Sequence, residues 1–170
     1  VKVLKVLNEK DILVEVMLGG TLLPKKGVNL PDSELTMPSL TEKDIADIQF
    51  CVDQKIDWLA LSFVRKVEDI KHLKQLLKEQ ESKIKVIAKI EMPEALRNLR
   101  DIVIESDGVM VARGDMGVEL PIEQVPVLQK DIIRKCMHRA KPVIVATQMM
   151  ESMIERTKPN RSEVSDVANA

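Results

Sequence analysis

Three short clusters hold the residues best suited to chemistry: Ala88-Lys89-Ile90-Glu91-Met92, Val111-Ala112-Arg113-Gly114-Asp115-Met116-Gly117 and Ala146-Thr147-Gln148-Met149-Met150-Glu151-Ser152. On a strand, residues two apart share a face, so Lys89 and Glu91 project together while Ala88 and Ile90 point the other way. Such a pair offers a compact cation for a phosphoryl or enolate oxygen beside a carboxylate for a metal. The structural alternative is an ion pair closing the end of a sheet. In the second cluster two glycines flank an acid. Gly114 allows close backbone approach to a ligand, and successive free N–H groups at such a turn bind anions. Asp115 supplies a hard oxygen, and with Glu91 it could hold Mg2+, which takes one or two carboxylates plus waters and substrate oxygens. A tight turn with Asp115 capping a short helix is the alternative there. Thr147 stands where a strand gives way to a helix, placed either to bond a substrate oxygen or to act as an N-cap.

The remaining candidates are weaker. The methionines fit a core-filling role. His72 and His138 lie in helical patterns without acidic or cysteine partners at ligand spacing.

These clusters need elements to position them. Residues 1–28 read as β structure, with Val1 and Val3, then Ile12, Val14 and Val16, alternating with polar residues around the turn-like Asn8-Glu9-Lys10-Asp11. Lys25-Lys26-Gly27 is a further turn, and a domain hinge is expected near Leu30. Beyond it, Thr41 with Asp44 predicts a capped helix. Strands are predicted at Trp58–Leu61, Ile84–Ile90, Gly108–Ala112 and Pro142–Ala146. Helices fall between them: one through Val67, Ile70, Leu73 and Leu77, a short one from Pro93, and one opened by Pro121. The remainder reads as helical to the end. Short apolar strands alternating with helices mean parallel βα units. Ser62, Lys89, Glu91, Arg113 and Thr147 fall at strand C-terminal ends, where both a doubly wound sheet and a (β/α)8 barrel place their sites. The absence of GxGxxG after the first strand weakens the dinucleotide-binding version.

The bulk numbers agree with a globular domain. The 170 residues are 45% hydrophobic and 31% charged, with 26 basic against 27 acidic side chains. No bulk positive charge is available for nucleic acid or anionic lipid. One Trp, two Phe and no Tyr leave little to stack on bases. No apolar run approaches a membrane span. Cys51 and Cys136 do not form a CxxC pattern, and a reduced, cytoplasmic protein is expected.

At the same clusters the chain resembles the pyruvate kinase family. The resemblance rests on Ile87-Ala88-Lys89-Ile90-Glu91, on Ser106 through Glu119, on Thr147 through Met153 and on Arg161 through Ala170. Lys26-Gly27-Val28-Asn29-Leu30-Pro31 and Ser62-Phe63-Val64-Arg65 match as well, in order across essentially all of the chain. It implies an α/β fold: part of a TIM (β/α)8 barrel, about four βα units over residues 29–170, preceded by a short β segment over 1–28 from a small inserted β domain. It implies phosphoryl transfer from phosphoenolpyruvate to ADP, giving pyruvate and ATP in glycolysis. Glu91 and Asp115 would bind Mg2+ (or Mn2+), and Lys89 would stabilise charge on the phosphoryl group and the enolate. The Gly114 and Asp115 amides with the Thr147 hydroxyl would hold the substrate carboxylate, with Arg113 and Ser62 in support. K+ is expected for the family, through ligands outside these residues. Arg161 resembles a position near the subunit contact of a homotetramer. Because family members are much longer, the chain is expected to be a fragment that is inactive and self-associating in isolation. The competing readings are a lyase or aldolase acting on pyruvate-like enolates, and a non-catalytic oligomerisation piece.

Overall fold

The computed structural model describes residues 1–21, 23–24, 27–28 and 38–170. The N-terminal segment forms an antiparallel hairpin, β1 (Lys2–Val6) with β2 (Ile12–Glu15). Its turn is set by Asn8, whose Oδ1 accepts from the amides of Lys10 at 2.8 Å and Asp11 at 2.9 Å, a side-chain mimic of a backbone turn. The hinge expected near Leu30 falls outside the described residues, as do Lys25 and Lys26.

Helix α1 (Glu42–Asp53) opens on the capping box read from the sequence. The Asp44 amide donates to Thr41 Oγ1 at 3.2 Å, and the Thr41 amide donates to Asp44 Oδ2 at 2.7 Å. The main sheet comprises β3 (Trp58–Leu61), β4 (Lys85–Ile90), β5 (Gly108–Ala112) and β6 (Val143–Ala146), all parallel in the order β3-β4-β5-β6. The register puts Leu59 and Leu61, Val86, Ala88 and Ile90, Val109 and Val111, and Val143 on one face. These residues form the core with α2 (Val67–Glu79), α3 (Pro93–Arg97), α4 (Leu99–Glu105) and α6 (Val125–Met137). Helix α2 contributes Ile70, Leu73 and Leu77 at helical spacing, and α4 contributes Ile102 and Val103. Full burial of one such side chain is worth roughly 1.5–3 kcal/mol.

The opposite face carries Trp58, Ile87, Lys89, Met110 and Ile144, none of which joins the core. A doubly wound sheet would cover both faces with helices and reverse its strand order at a switch point. Sequential strands with the core on one face are what a slice of a (β/α)8 barrel presents, its other face lining the barrel interior. The four strands do not close, and β3 and β6 are edges among the described residues.

Three expectations are corrected in detail. The helix opened by Pro121 begins as a 3-10 turn (Ile122–Gln124) and becomes α-helical only at Val125, because Pro126 lacks an N–H and fits only a first turn. The glycine turn after β5 is itself a helix, α5 (Arg113–Glu119). After β6 the chain does not continue as a helix. It passes through left-handed residues and a 3-10 turn (Glu151–Ile154) before α7 (Arg161–Ala168).

Cys51 and Cys136 are both free thiols. Burial pushes the Cys136 thiol up to about 11, against the lowering influence of Lys141. No helix among the described residues is long and apolar enough to cross a membrane.

Candidate active site

Parallel strands deliver their C-terminal ends to one edge of the sheet, and the chemistry-bearing residues meet there in two groups. The first is built at the ends of β3 and β4. Lys89, on the open face of β4, extends its Nζ to Ser62 Oγ at 3.0 Å and to Glu91 Oε1 at 2.5 Å. The Glu91 side chain is 1% exposed and that of Lys89 23%. The other carboxylate oxygen, Glu91 Oε2, accepts from the Phe63 amide at 3.0 Å. Phe63 is left-handed at φ 54° with an exposed ring, so its backbone, not its side chain, serves the site. Glu91 Oε1 has the lysine charge beside it but no well-directed hydrogen bond. That leaves a buried acceptor with capacity for a further cation.

The second group joins β5 to β6. Gly114 N donates to Thr147 Oγ1 at 3.1 Å, and a Cβ at Gly114 would stand 3.3 Å from that oxygen. The close approach anticipated for a ligand is thus made to the threonine hydroxyl, whose own hydrogen stays free to donate. Arg113 is 8% exposed and makes five hydrogen bonds. Nε and Nη2 donate to the Thr147 carbonyl at 3.2 and 2.7 Å, Nη2 also to the Gln148 carbonyl at 2.8 Å, and Nη1 to both Asp166 oxygens at 2.6 and 2.7 Å. A guanidinium has five N–H donors, so none remains for a ligand.

Asp115 lies in the first turn of α5, exposed, with no hydrogen bond or ion pair to its carboxylate among the described residues. The register pairs Ile90 with Val111, so Glu91 ends its strand level with the start of α5. Among the described residues there is no group of three or more His, Cys, Asp or Glu placed to hold a metal. Two carboxylates, one with an under-satisfied buried oxygen and one exposed and free, fit Mg2+ or Mn2+ completed by water and substrate oxygens, and do not fit an all-protein cage.

Two tethers escaped the sequence. One is Arg113–Asp166. The other is Glu163, which accepts from the Ser152 hydroxyl, from the Ser152 amide at 2.8 Å and from the Asn160 amide at 2.9 Å. Both acids stand on α7. Asp166 lies 53 residues from Arg113, where no local spacing marks it. Glu163 follows Asn160 at capping-box spacing, and only its reach to Ser152, 11 residues back, is unmarked. The Ser152 hydroxyl, then the Ser152 and Asn160 amides, hold the Glu163 carboxyl below its ordinary value of 4.5. A carboxyl lowered by folding stabilises above its unfolded value, and that contribution fades as pH falls through the folded one. Glu163→Gln is therefore expected to melt below wild type near neutral pH, with the gap closing under about pH 4.5. A gap independent of pH in melts taken across that range would contradict this account.

The comparisons with known proteins agree with one another. The family model described as pyruvate kinase, barrel domain, matches residues 1–170. The chain is 50% identical over 161 residues to the pyruvate kinase of Clostridium perfringens, covering 94% of this chain and 34% of that protein. It is 49% identical over 160 residues to that of Corynebacterium glutamicum, covering 94% and 34%. With the Staphylococcus aureus pyruvate kinase it shares 48% over 162 residues, covering 95% and 28%. The chain spans about a third of the length of the curated relatives it matches.

Proposed function

The chain belongs to the pyruvate kinase family, and from that premise we propose that it carries part of the site for phosphoryl transfer from phosphoenolpyruvate to ADP. The observation that carries this reading is the placement of Lys89. Its ammonium is held by Ser62 Oγ and Glu91 at the strand ends, and an ammonium has three protons. The Ser62 hydroxyl accepts one of them, Glu91 offsets the charge without a well-directed hydrogen bond, and protons remain for a substrate oxygen.

In the reaction the bond from phosphorus to the enol oxygen breaks and a phosphate oxygen of ADP takes the phosphoryl group. The enolate then gains a proton at carbon to become pyruvate. Such transfers need alignment and charge stabilisation more than covalent help. Lys89 neutralises charge on the moving phosphoryl group and on the enolate oxygen. Glu91 and Asp115 would hold Mg2+ or Mn2+, which supplies Lewis-acid stabilisation of phosphoryl and enolate oxygens. The Thr147 hydroxyl and the first-turn amides of Gly114 and Asp115 take the substrate carboxylate, which competes with Thr147 Oγ1 for the Gly114 amide. Ser62 orients Lys89, and Arg113 supports Thr147 without touching substrate.

K+ belongs to the proposal for the family, with its main ligands outside these residues. So does a homotetramer with Arg161, exposed at the start of α7, near the subunit contact. A cytoplasmic setting suits the two free cysteines. The 170 residues alone, with two sheet edges open among the described residues, are proposed to self-associate and to lack turnover.

A coupled assay on the complete protein tests the reading. ATP should form from phosphoenolpyruvate and ADP and should require Mg2+ or Mn2+. Metal-independent turnover, or none with the metal present, would sink it.

A further inference from the structure

Thr147 is a β-branched residue at φ 69°, followed by Gln148 at φ 53° and, two residues later, Met150 at φ 55°. Left-handed backbone is uncommon outside glycine, and in a β-branched residue it is a true outlier that surrounding contacts must impose. Here the imposing contacts are visible. Three of the five Arg113 hydrogen bonds go to the carbonyls of Thr147 and Gln148, and the other two go to Asp166. Arg113 is buried, so its charge needs a counterion to be held there, and Asp166 is its only ion-pair partner among the described residues. Asp166 itself sits on α7, which Glu163 fastens to Ser152 just beyond the left-handed stretch.

We infer that Asp166 is a positioning residue: through Arg113 it locks Thr147 and Gln148 into the left-handed conformation that sets the Thr147 hydroxyl against the Gly114 amide. This rests on the proposed role of Thr147 in holding substrate. Removing the Asp166 charge frees Nη1 to seek other acceptors. The guanidinium then loses its fixed plane, and the two carbonyls lose the clamp that offsets their strain. The hydroxyl drifts without any residue that contacts substrate having changed.

The test is a double-mutant cycle between two residues that the structure does not bond to each other. Asp166→Asn, Thr147→Ala and the double variant are made in the complete protein. Asp166→Asn is expected to lower kcat/KM by about 10- to 100-fold, the scale of a displacement near 1 Å. Thr147→Ala should lose at least as much. If the path runs through Thr147, adding Asp166→Asn to Thr147→Ala should cost less than about 3-fold more, since coupled sites are non-additive. Losses that multiply independently would overturn the inference, as would wild-type kinetics in Asp166→Asn. Should Asp166→Asn fail to fold, Asp166→Ser, which also removes the charge, takes its place in the cycle, with the same two outcomes decisive. Amide hydrogen exchange at Thr147–Met150 separates this claim from the functional reading. If Thr147→Ala turns over normally, the reading of Thr147 fails and exchange decides: faster exchange there in the Asp166 variant keeps the clamp, and unchanged exchange removes it.

Discussion

Lys89→Met is expected to lower phosphoenolpyruvate-dependent ATP formation by about 10^3-fold or more, because it deletes a fixed charge aimed where negative charge develops. Methionine keeps the length and apolar stem of the lysine, so the strand face is preserved and only the ammonium goes. The loss should fall mainly on kcat, since the charge matters most when the phosphoryl group moves. The same substitution strands Glu91, whose carboxylate is 1% exposed and has Lys89 as its only ion-pair partner among the described residues. Breaking a buried pair from one side costs about 3 kcal/mol or more, so the variant should also melt early. Adding Glu91→Gln to Lys89→Met should return part of the lost melting temperature, which identifies the stranded carboxylate as the cause of the early melting. Lys89→Arg should fail to rescue, because a planar fork cannot take the place of a compact ammonium between Ser62 Oγ and Glu91. Turnover of Lys89→Met within tenfold of wild type would remove Lys89 from the site.

Where local pattern and tertiary packing agree, the sequence is a good guide. Trp58–Leu61 and Gly108–Ala112 are apolar runs bounded by polar residues, and the strands occupy those bounds. The two-residue period puts Lys89 and Glu91 on one face, and they meet at 2.5 Å. Legibility fails where a distant contact overrules local preference. Gly114 and Gly117 argue against a helix, since glycine costs about 1 kcal/mol per position relative to alanine. Even so, α5 forms, with Met116 buried in the core and Arg113 anchored to α7. The stretch after Ala146 fails for the same reason in reverse. Thr147-Gln148-Met149-Met150 carries no glycine or proline to announce left-handed backbone, and the clamp that imposes it comes from Arg113, 34 and 35 residues earlier in the chain. Phe63 is a further case. Nothing in a phenylalanine advertises that its amide will bind a carboxylate 28 residues on.

Asp115→Asn provides the cleanest separation of function from folding at this site. Its carboxylate is exposed and holds no described residue, so no described contact depends on it. The substitution gives up only the favourable interaction of an acid with the first turn of α5, about 0.3–1 kcal/mol. Melting in the absence of metal should therefore stay close to wild type. Activity should not: losing one of two metal carboxylates should lower turnover by about 10^2-fold, in line with removing one electrostatic element of a transition state. The Mg2+ concentration for half-maximal rate should rise, and excess Mg2+ should restore part of the activity. A second readout needs no turnover. A ligand that binds only the folded state raises its melting temperature by mass action, so Mg2+ should stabilise wild type and do so less for Asp115→Asn. Glu91→Gln should show the same loss of metal response together with a lower melting temperature, because Glu91 also pairs Lys89 and fixes the Phe63 amide. If Asp115→Asn keeps the wild-type Mg2+ dependence in both measurements, Asp115 is not a metal ligand. Glu91 would then be the one carboxylate of the pair left to hold the ion.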